Sequence, residues 1–257
     1  MTLLESRRFR AAGAGLNYAH RAGDGPALCL LHGLGARWQT FRPLVRSLGP
    51  NWNVYAPDLR GHGRSDWVGG RYGLTDFTAD IAEFLTEVVA EPVVLVGHSL
   101  GGWVAAMVTA TMPDSVRAVV IVDSALYPLR REQRDAMTFY ANPSLAMRSI
   151  AVSLRLADPE LKQRWVEGRN QREQDPDEML ARLRCPVLLV QGDAAAGGLM
   201  APDHVERAMS LLGNGTHVFV PGAGHAVHAD APAAVAAALR RFLAAEVDRT
   251  TVKGEIG

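Results

Sequence analysis

The sequence predicts an α/β fold, with a mostly parallel central sheet and helices on both of its faces. Three observations indicate this class. Short apolar runs alternate with helical segments, the runs are bounded by Gly, Pro or Asp, and 48% of the 257 residues are hydrophobic. Continuous apolar runs are typical of parallel strands, because helices cover both faces of such a sheet. The length fits one domain of this class with an insertion.

Six short apolar runs predict buried strands, at residues 27–31, 53–56, 93–96, 118–122, 187–190 and 216–220. Five further segments predict helices, at residues 40–48, 74–89, 100–112, 202–212 and 232–246. Pro202 and Pro232 stand where two of these helices begin. Proline fits the first turn of a helix, since the N–H that it lacks has no partner there.

Residues 126–183 interrupt the alternation of strands and helices. Arg, Glu, Gln, Met and Trp dominate the segment, and it contains no continuous apolar run. Three pairs that end in proline divide it, namely Asn142-Pro143, Asp158-Pro159 and Asp175-Pro176. Because the residue before a proline disfavours the helical conformation, the pairs predict three or four short helices. We therefore expect a helical cap or lid inserted into a core formed by residues 1–125 and 184–257.

Charge and composition limit the partners that we expect. Lys plus Arg number 27 and so do Asp plus Glu, so the net charge is zero and no field attracts nucleic acid. The sequence shows no secretion signal, and no apolar run approaches the roughly 18 residues of a membrane span. Two cysteines, Cys29 and Cys185, favour reduced thiols over a disulfide framework. We expect a cytoplasmic protein with a small-molecule substrate and without a membrane partner; the sequence does not indicate an oligomeric state.

No cofactor or metal is expected either. The sequence lacks the spaced Cys and His sets of zinc sites, an acidic calcium loop and the Gly-x-x-x-x-Gly-Lys pattern that binds phosphates.

The motif that carries the most chemistry is Gly97-His98-Ser99-Leu100-Gly101. It follows the predicted strand 93–96 directly and opens a helix, which is the context of a G-x-S-x-G nucleophile elbow. Glycines leave room for such a sharp turn, and the turn projects the serine hydroxyl above the sheet. The start of the helix favours negative charge on a reacting oxygen. The motif therefore predicts Ser99 as a nucleophile rather than as part of a plain Gly-Ser turn.

The sequence resembles the α/β-hydrolase superfamily, and in particular its small, lid-bearing serine hydrolases of the esterase and lactonase kind. Four motifs carry the resemblance in order along the chain: His32-Gly33-Leu34-Gly35, the segment 58–65, the elbow, and Gly222-Ala223-Gly224-His225. The resemblance makes the strand 27–31 the third of the sheet. It also implies an oxyanion hole formed by the backbone N–H groups of Leu34 and Leu100.

His225 is the preferred general base, because it follows the last predicted strand in a Gly-rich turn and comes after the nucleophile in the chain. Four other histidines have a weaker claim. His32 is interpreted as a brace for the oxyanion loop, and His98 as a member of the elbow that points elsewhere. His62 belongs to a structural loop, and His228 is expected at the start of a helix.

Two aspartates compete for the third member of a Ser-His-Asp triad. The acid of this fold usually follows the strand before the histidine's own, which makes Asp193 the first choice. Relatives often carry a Gly-x-x-Asp spacing there, which would put the acid at position 195, where this chain has Ala195. Asp123, after the strand 118–122, is the alternative, since some members of the superfamily take the acid from that strand.

Other polar and aromatic residues receive structural or substrate-binding interpretations. Asp58 and Arg60 are interpreted as a buried structural pair outside the site. Four aromatic residues are candidate walls of an apolar substrate pocket, although core packing explains such residues equally well: Trp38, Trp103, Tyr127 and Trp165.

These residues predict a cofactor-independent serine hydrolase that cleaves a carboxylic ester, lactone or thioester of a small to medium substrate through an acyl-enzyme. The same triad and lid would also serve a carbon–carbon bond hydrolase or a lyase. A small-molecule receptor with slow turnover is a third hypothesis, because the fold by itself does not determine function.

Overall fold

The computed structural model describes residues 4–128, 148–167, 169 and 174–254, and it confirms the predicted α/β class. Eight strands form a sheet in the order β1-β2-β4-β3-β5-β6-β7-β8. β2 pairs antiparallel with β1 and β4, and all the other neighbours are parallel. The strands are β1 (Glu5–Arg10), β2 (Gly15–Arg21), β3 (Ala27–Leu31), β4 (Asn53–Pro57), β5 (Val93–His98), β6 (Val116–Val122), β7 (Val187–Gly192) and β8 (Gly215–Val220).

Helices follow the strands much as the sequence predicts. Those in the described residues are α1 (Arg42–Leu48), α2 (Leu74–Phe84), α3 (Leu100–Thr111), α4 (Arg148–Arg155), α5 (Pro159–Val166), α6 (Pro176–Ala181), α7 (Pro202–Leu211), α8 (Val227–Asp230) and α9 (Pro232–Gly254). A 3₁₀ turn, Trp38–Phe41, precedes α1, and a π turn, Leu85–Val89, extends α2. Pro202 and Pro232 occupy first-turn positions, as predicted. No helix within the described ranges has the length and apolar character needed to span a membrane.

Both faces of the sheet are buried under helices. Leu28 and Leu30 of β3 belong to the cluster that packs against α1 and α9, whereas Cys29 and Leu31 belong to the cluster under α2 and α3. Successive side chains of a strand point to opposite faces, so a strand covered on both sides must be apolar throughout. This explains why five of the six apolar runs predict buried strands correctly. The sixth run forms β8, but the prediction that it is buried is wrong, because β8 lies at the edge of the sheet and Phe219 is 47% exposed.

β1 and β2 are the strands that the apolar pattern misses. β1, with the sequence ESRRFR, is largely exposed at the edge of the sheet, where charged side chains discourage pairing with another chain. β2 mixes polar and apolar residues and joins the sheet through antiparallel pairing with β4. Tertiary pairing, rather than local hydrophobicity, makes strands of these two segments. The resemblance, which makes Ala27–Leu31 the third strand, does anticipate them.

Three described helices, α4 to α6, lie in the predicted insertion between β6 and β7. Asp158 and Asp175 cap α5 and α6, because their side chains accept hydrogen bonds from the N–H groups of Glu160 and Asp177. Two of the three proline pairs therefore mark helix starts, and Asn142-Pro143 lies outside the described residues. That the segment acts as a lid stays a prediction.

The interpretation of Asp58 and Arg60 as a pair is wrong. Arg60 binds Asp80 of α2 in a bidentate manner, with both N–O distances at 2.6 Å, and the guanidinium is buried. Asp58 instead accepts hydrogen bonds from the N–H of Trp38 and of Arg64 and from the side-chain amide of Asn17. Asp58 therefore braces the loop after β4, while Arg60 reaches across to α2.

We expect Arg60→Met to lower the free energy of unfolding by about 3–5 kcal/mol, since it leaves the Asp80 carboxylate buried without its partner. Burial already raises the pKa of Asp80, and Arg60 opposes that rise. Urea denaturation measures the effect. Arg7→Met, which breaks the exposed pair of Arg7 and Glu5, is the control and should cost less than about 1 kcal/mol. Equal losses in the two variants would contradict the prediction.

Candidate active site

The turn between β5 and α3 has the geometry of a nucleophile elbow. Ser99 has φ 53° and ψ −116°, a left-handed conformation that is strained for a residue with a side chain. A Cβ at Gly97 would lie 2.1 Å from the Gly101 carbonyl oxygen, and one at Gly101 would lie 2.1 Å from that of Leu31. Both positions therefore require glycine, because the backbones of β3, β5 and α3 approach too closely for any side chain.

Hydrogen bonds from three directions hold the backbone of Ser99. Its N–H donates to the Val122 carbonyl of β6 at 3.1 Å. Its carbonyl accepts from the Ser124 hydroxyl at 2.7 Å and from the N–H of Gly102 at 2.9 Å. These contacts tie the strained residue to the neighbouring strand and to the helix. They therefore fix the backbone position from which the serine side chain projects.

His225 and Asp123 form a close pair beside this turn. The Nδ1–H of His225 donates to Oδ2 of Asp123 at 2.8 Å, and the Asp123 side chain is fully buried. The same carboxylate accepts hydrogen bonds from the backbone N–H of Gly192 at 3.0 Å, of Leu199 at 2.7 Å and of Met200 at 3.2 Å. Four donors therefore fix the orientation of the Asp123 carboxylate and, through it, of the His225 ring.

Asp193, which the sequence favours as the acid of the triad, does not contact His225. The predicted preference for Asp193 over Asp123 does not agree with this geometry. Its carboxylate accepts hydrogen bonds from the N–H groups of Ala195 and Gly222, both at 2.9 Å. Asp193 thus caps the turn after β7 and links that turn to the loop that carries His225. The segment after β7 folds back so that its backbone N–H groups donate to the Asp123 carboxylate. The Asp193 carboxylate points to its own turn and does not reach this site.

The loop after β3 lies against the elbow. A Cβ at Gly33 would lie 3.0 Å from Cβ of Ser99, so the loop passes directly beside the serine. Among the described residues, no acceptor takes the N–H of Leu34 or of Leu100, so both predicted oxyanion donors remain available. His32 braces the loop as expected, since its Nδ1–H donates to the Gly33 carbonyl at 2.8 Å and its Nε2 accepts from the N–H of Leu59.

Burial keeps four histidines near the elbow neutral. It lowers the pKa of His32 to about 4 and those of His62 and His228 to about 3, and it lowers the pKa of His98 well below its usual value. The cause is the cost of placing a charged imidazole in a site that excludes water. The side chain of His225 is partly exposed, and no described group hydrogen-bonds to its Nε2.

Two of the four aromatic pocket candidates are core side chains. Trp38 is 5% exposed and lies under the Arg42 guanidinium, and Trp103 is 2% exposed and donates its ring N–H to the Ala125 carbonyl. The expectation that these two line a pocket is not met. Tyr127 contacts a small cavity that Met200 and His204 also line, while Trp165 packs partly buried against the core. Their part in substrate binding stays a prediction.

Sequence reasoning missed the groups that hold Asp123 and Ser99 in place. They are the backbone N–H groups of Gly192, Leu199 and Met200 and the Ser124 hydroxyl. Backbone donors leave no trace in residue type, so no motif identifies them. Within the described part of the chain, no group of three or more His, Cys, Asp or Glu side chains is arranged to hold a metal ion.

Comparison with known proteins assigns the family. The sequence pattern of the Alpha/beta hydrolase family matches residues 30–238, which is most of the chain. The chain belongs to this family. The strands from β4 to β8, the elbow and the His225–Asp123 pair described above lie within the matched residues.

Individual relatives match parts of this chain. The 2-(acetamidomethylene)succinate hydrolase of Mesorhizobium japonicum is 34% identical over 137 residues, 53% of this chain and 49% of that protein. Lipase LipV of Mycobacterium tuberculosis is 38% identical over 104 residues, 40% of this chain and 39% of that protein. The sequence matches thus span about half, or less, of these relatives' lengths. The crystal structure of E-2-(acetamidomethylene)succinate hydrolase superimposes with a TM-score of 0.80 at 26% identity and covers 94% of this chain and 99% of that one.

The neutral histidines make stability depend on pH, and His228 offers a test. In the folded protein the pKa of His228 is about 3, whereas an unfolded chain takes up that proton near 6.5. The unfolded state therefore binds more protons between these values, and the free energy of unfolding falls as the pH falls through this window. Each such group contributes up to about 1.4 kcal/mol per pH unit.

We expect His228→Phe to reduce this slope between pH 6.5 and pH 4 and to leave the slope above pH 7.5 the same as in the wild type, since His228 is neutral there in both the folded and the unfolded state. Urea unfolding at a series of pH values measures both slopes. An unchanged slope below pH 6.5 would show that His228 is not held neutral by burial.

Proposed function

We propose that this protein is a cofactor-independent serine hydrolase that cleaves a carboxylic ester, lactone or thioester of a small to medium substrate. The observation that carries the proposal is the juxtaposition of a strained serine at the elbow with the buried His225–Asp123 hydrogen bond. A serine becomes nucleophilic when a neighbouring imidazole accepts its proton and a third group fixes the tautomer of that imidazole. Ser99 and Asp123 follow the neighbouring parallel strands β5 and β6, and His225 follows β8, the last strand of the same parallel set.

In the proposed reaction, Oγ of Ser99 attacks the substrate carbonyl carbon and its proton passes to Nε2 of His225. The Nδ1–H of His225 stays hydrogen-bonded to Asp123, whose negative charge stabilises the imidazolium. His225 then protonates the leaving alkoxide, lactone oxygen or thiolate, which leaves an acyl group on Ser99. A water molecule gives its proton to His225 and attacks this ester, and the acid product departs as Ser99 regains its hydrogen.

The backbone N–H groups of Leu34 and Leu100 would receive the negative charge that develops on the carbonyl oxygen. Leu100 begins α3, so its N–H belongs to the unpaired donors at the positive end of a helix. The other donor depends on the loop that His32 and His62 brace, because Nε2 of His62 accepts the N–H of Gly35. Preorganised donors of this kind are each worth about 3–4 kcal/mol in a transition state.

The inserted segment 126–183 is proposed to cap this site and to limit the size of the substrate. Leu154 of α4 lies against the oxyanion loop, since a Cβ at Gly35 would come within 2.6 Å of its side chain. The Ser153 hydroxyl accepts a hydrogen bond from Arg37, also of that loop. Tyr72 donates its hydroxyl to Asp158 at 2.5 Å and so fastens α5 to the core. These contacts support a cap that closes over the carbonyl-binding side of the site.

The relatives support hydrolysis and leave the choice of bond to experiment. One relative is named a lipase, which favours an ester, and another is named a hydrolase of an acetamidomethylene succinate. An ester leaving group needs one proton, and Nε2 of His225 would donate it. We therefore test ester cleavage first.

We expect Ser99→Ala to lower kcat/KM on p-nitrophenyl acetate and butyrate by at least about 10⁴-fold, because no acyl-enzyme can form without the hydroxyl. Stopped-flow measurement of the wild type should show a burst of p-nitrophenol equal to the enzyme concentration, and the variant should show none. Mass spectrometry of the quenched wild type should find the acyl group on Ser99. If the wild type gave neither a burst nor turnover on any ester, the proposal would fail, and carbon–carbon bond cleavage or ligand binding would take its place.

The two aspartates provide a matched pair of variants. Asp123→Asn should lower kcat by about 10³- to 10⁴-fold, since an amide stabilises the wrong imidazole tautomer and carries no charge. Asp193→Asn makes the same chemical change at a residue that does not contact His225 and accepts hydrogen bonds only from the backbone N–H groups of Ala195 and Gly222. An amide oxygen still accepts such bonds, so we expect kcat within about twofold of the wild type. Steady-state kinetics on the same ester compares them. The reverse order of the two effects would transfer the role of acid to Asp193.

A further inference from the structure

His98, the residue before the candidate nucleophile, is buried between the elbow and the loop that carries His225. Its ring centroid lies 4.6 Å from that of His225 and 4.5 Å from that of His228. On another side it faces the oxyanion loop, because a Cβ at Gly33 would lie 2.8 Å from its Nδ1. The imidazole thus lies among the elbow, the loop that carries His225 and the oxyanion loop. A serine hydrolase must hold these three segments in a fixed arrangement.

The hydrogen bond of His98 has a defined direction. Nε2 lies 2.8 Å from the backbone carbonyl oxygen of His225. A carbonyl only accepts, so Nε2 carries the hydrogen and donates it. Burial, together with the neighbouring histidines, lowers the pKa of His98, so the ring is neutral and Nδ1 carries no hydrogen. A neutral ring at this place adds a donor without adding a charge beside His225.

His225 is therefore held at two points. Its side chain is fixed through Nδ1 by Asp123, which follows β6. Its backbone is fixed through its carbonyl by His98, the last residue of β5. If the His225 ring were held only at Nδ1, it could still move together with the backbone of the loop that carries it. The second attachment ends one residue from Ser99, so it ties the backbone of the base to the backbone of the nucleophile.

We propose that His98 is a positioning residue that sets the distance between Nε2 of His225 and the hydroxyl of Ser99; this inference rests on the proposed serine-hydrolase function. His98 touches neither substrate nor reacting atoms and acts through the carbonyl of His225. Its loss lowers the rate of acylation and leaves ester binding unchanged. A retained donor at the same place restores the rate.

Two variants at one position test this. His98→Phe keeps a ring of similar volume and removes the donor, whereas the side-chain amide of His98→Gln reaches to about the same place as Nε2 and retains a donor. We expect the acylation rate constant, taken from the burst phase on p-nitrophenyl butyrate, to fall by about 10- to 100-fold in His98→Phe, the loss typical of a small misplacement of catalytic groups. The substrate concentration for half-maximal burst rate should stay within twofold of the wild type, and His98→Gln should recover most of the rate.

His228→Phe is the matched control. It replaces a buried imidazole of the same ring stack, whose two nitrogens have no hydrogen-bond partner among the described residues, so the acylation rate should change little. A double variant of His98→Phe with His225→Ala supplies the second check. If His98 acts through His225, the His98 substitution should not lower further the residual rate that His225→Ala retains.

The outcomes separate this inference from the proposed function. Three results would each overturn the role of His98: an unchanged acylation rate in folded His98→Phe, an equal loss in His98→Gln, or an additive loss in the double variant. In each case the burst kinetics and Ser99→Ala would still support a serine hydrolase. Absence of both a burst and turnover in the wild type on every ester would overturn the proposed function itself. Thermal unfolding monitors folding; if His98→Phe does not fold, His98→Asn, whose shorter amide cannot reach the carbonyl, replaces it with the same expected loss.

Discussion

The close packing of β5 against α3 at the elbow is the constraint on which the rest of the site depends. Neither Gly97 nor Gly101 has room for a Cβ, so the strand turns into the helix without an intervening loop. Ser99 must then adopt a positive φ, which costs of order 1–3 kcal/mol and persists because the buried faces of α3 and the sheet over-determine it. The same turn places the N-terminus of α3 beneath the serine side chain.

The His225–Asp123 pair is held by backbone groups of β7 and of the segment that follows it. The Asp123 carboxylate collects N–H donors from positions 192, 199 and 200 as well as the imidazole of His225. Asp123 itself has φ 40°, so a second strained residue sits at the end of the strand next to the elbow. A positive φ at each position turns the chain sharply where its strand ends. At Asp123 this turn accompanies the hydrogen bond from His225.

Neutral histidines take the place of charged groups around this site. A neutral imidazole has one donor and one acceptor, so it can bridge two backbone groups without the cost of burying a charge. His32 does so between Gly33 and Leu59, and His62 between the carbonyl of Arg60 and the N–H of Gly35. The oxyanion loop is thereby held by hydrogen bonds that need no water.

The sequence by itself determined the six strands β3 to β8, the helix starts at Asp158 and Asp175, and the elbow, because each depends on a few consecutive residues. Only the tertiary structure decided that β1 and β2 are strands, that Arg60 pairs with Asp80, and that Asp123 rather than Asp193 meets His225. Both aspartates follow buried parallel strands, so local pattern cannot rank them. Which aspartate meets His225 depends on how residues 192–200 fold back, because their N–H groups donate to the Asp123 carboxylate some 70 positions earlier in the chain. Such long-range backbone contacts leave no signal in the residue types that make them.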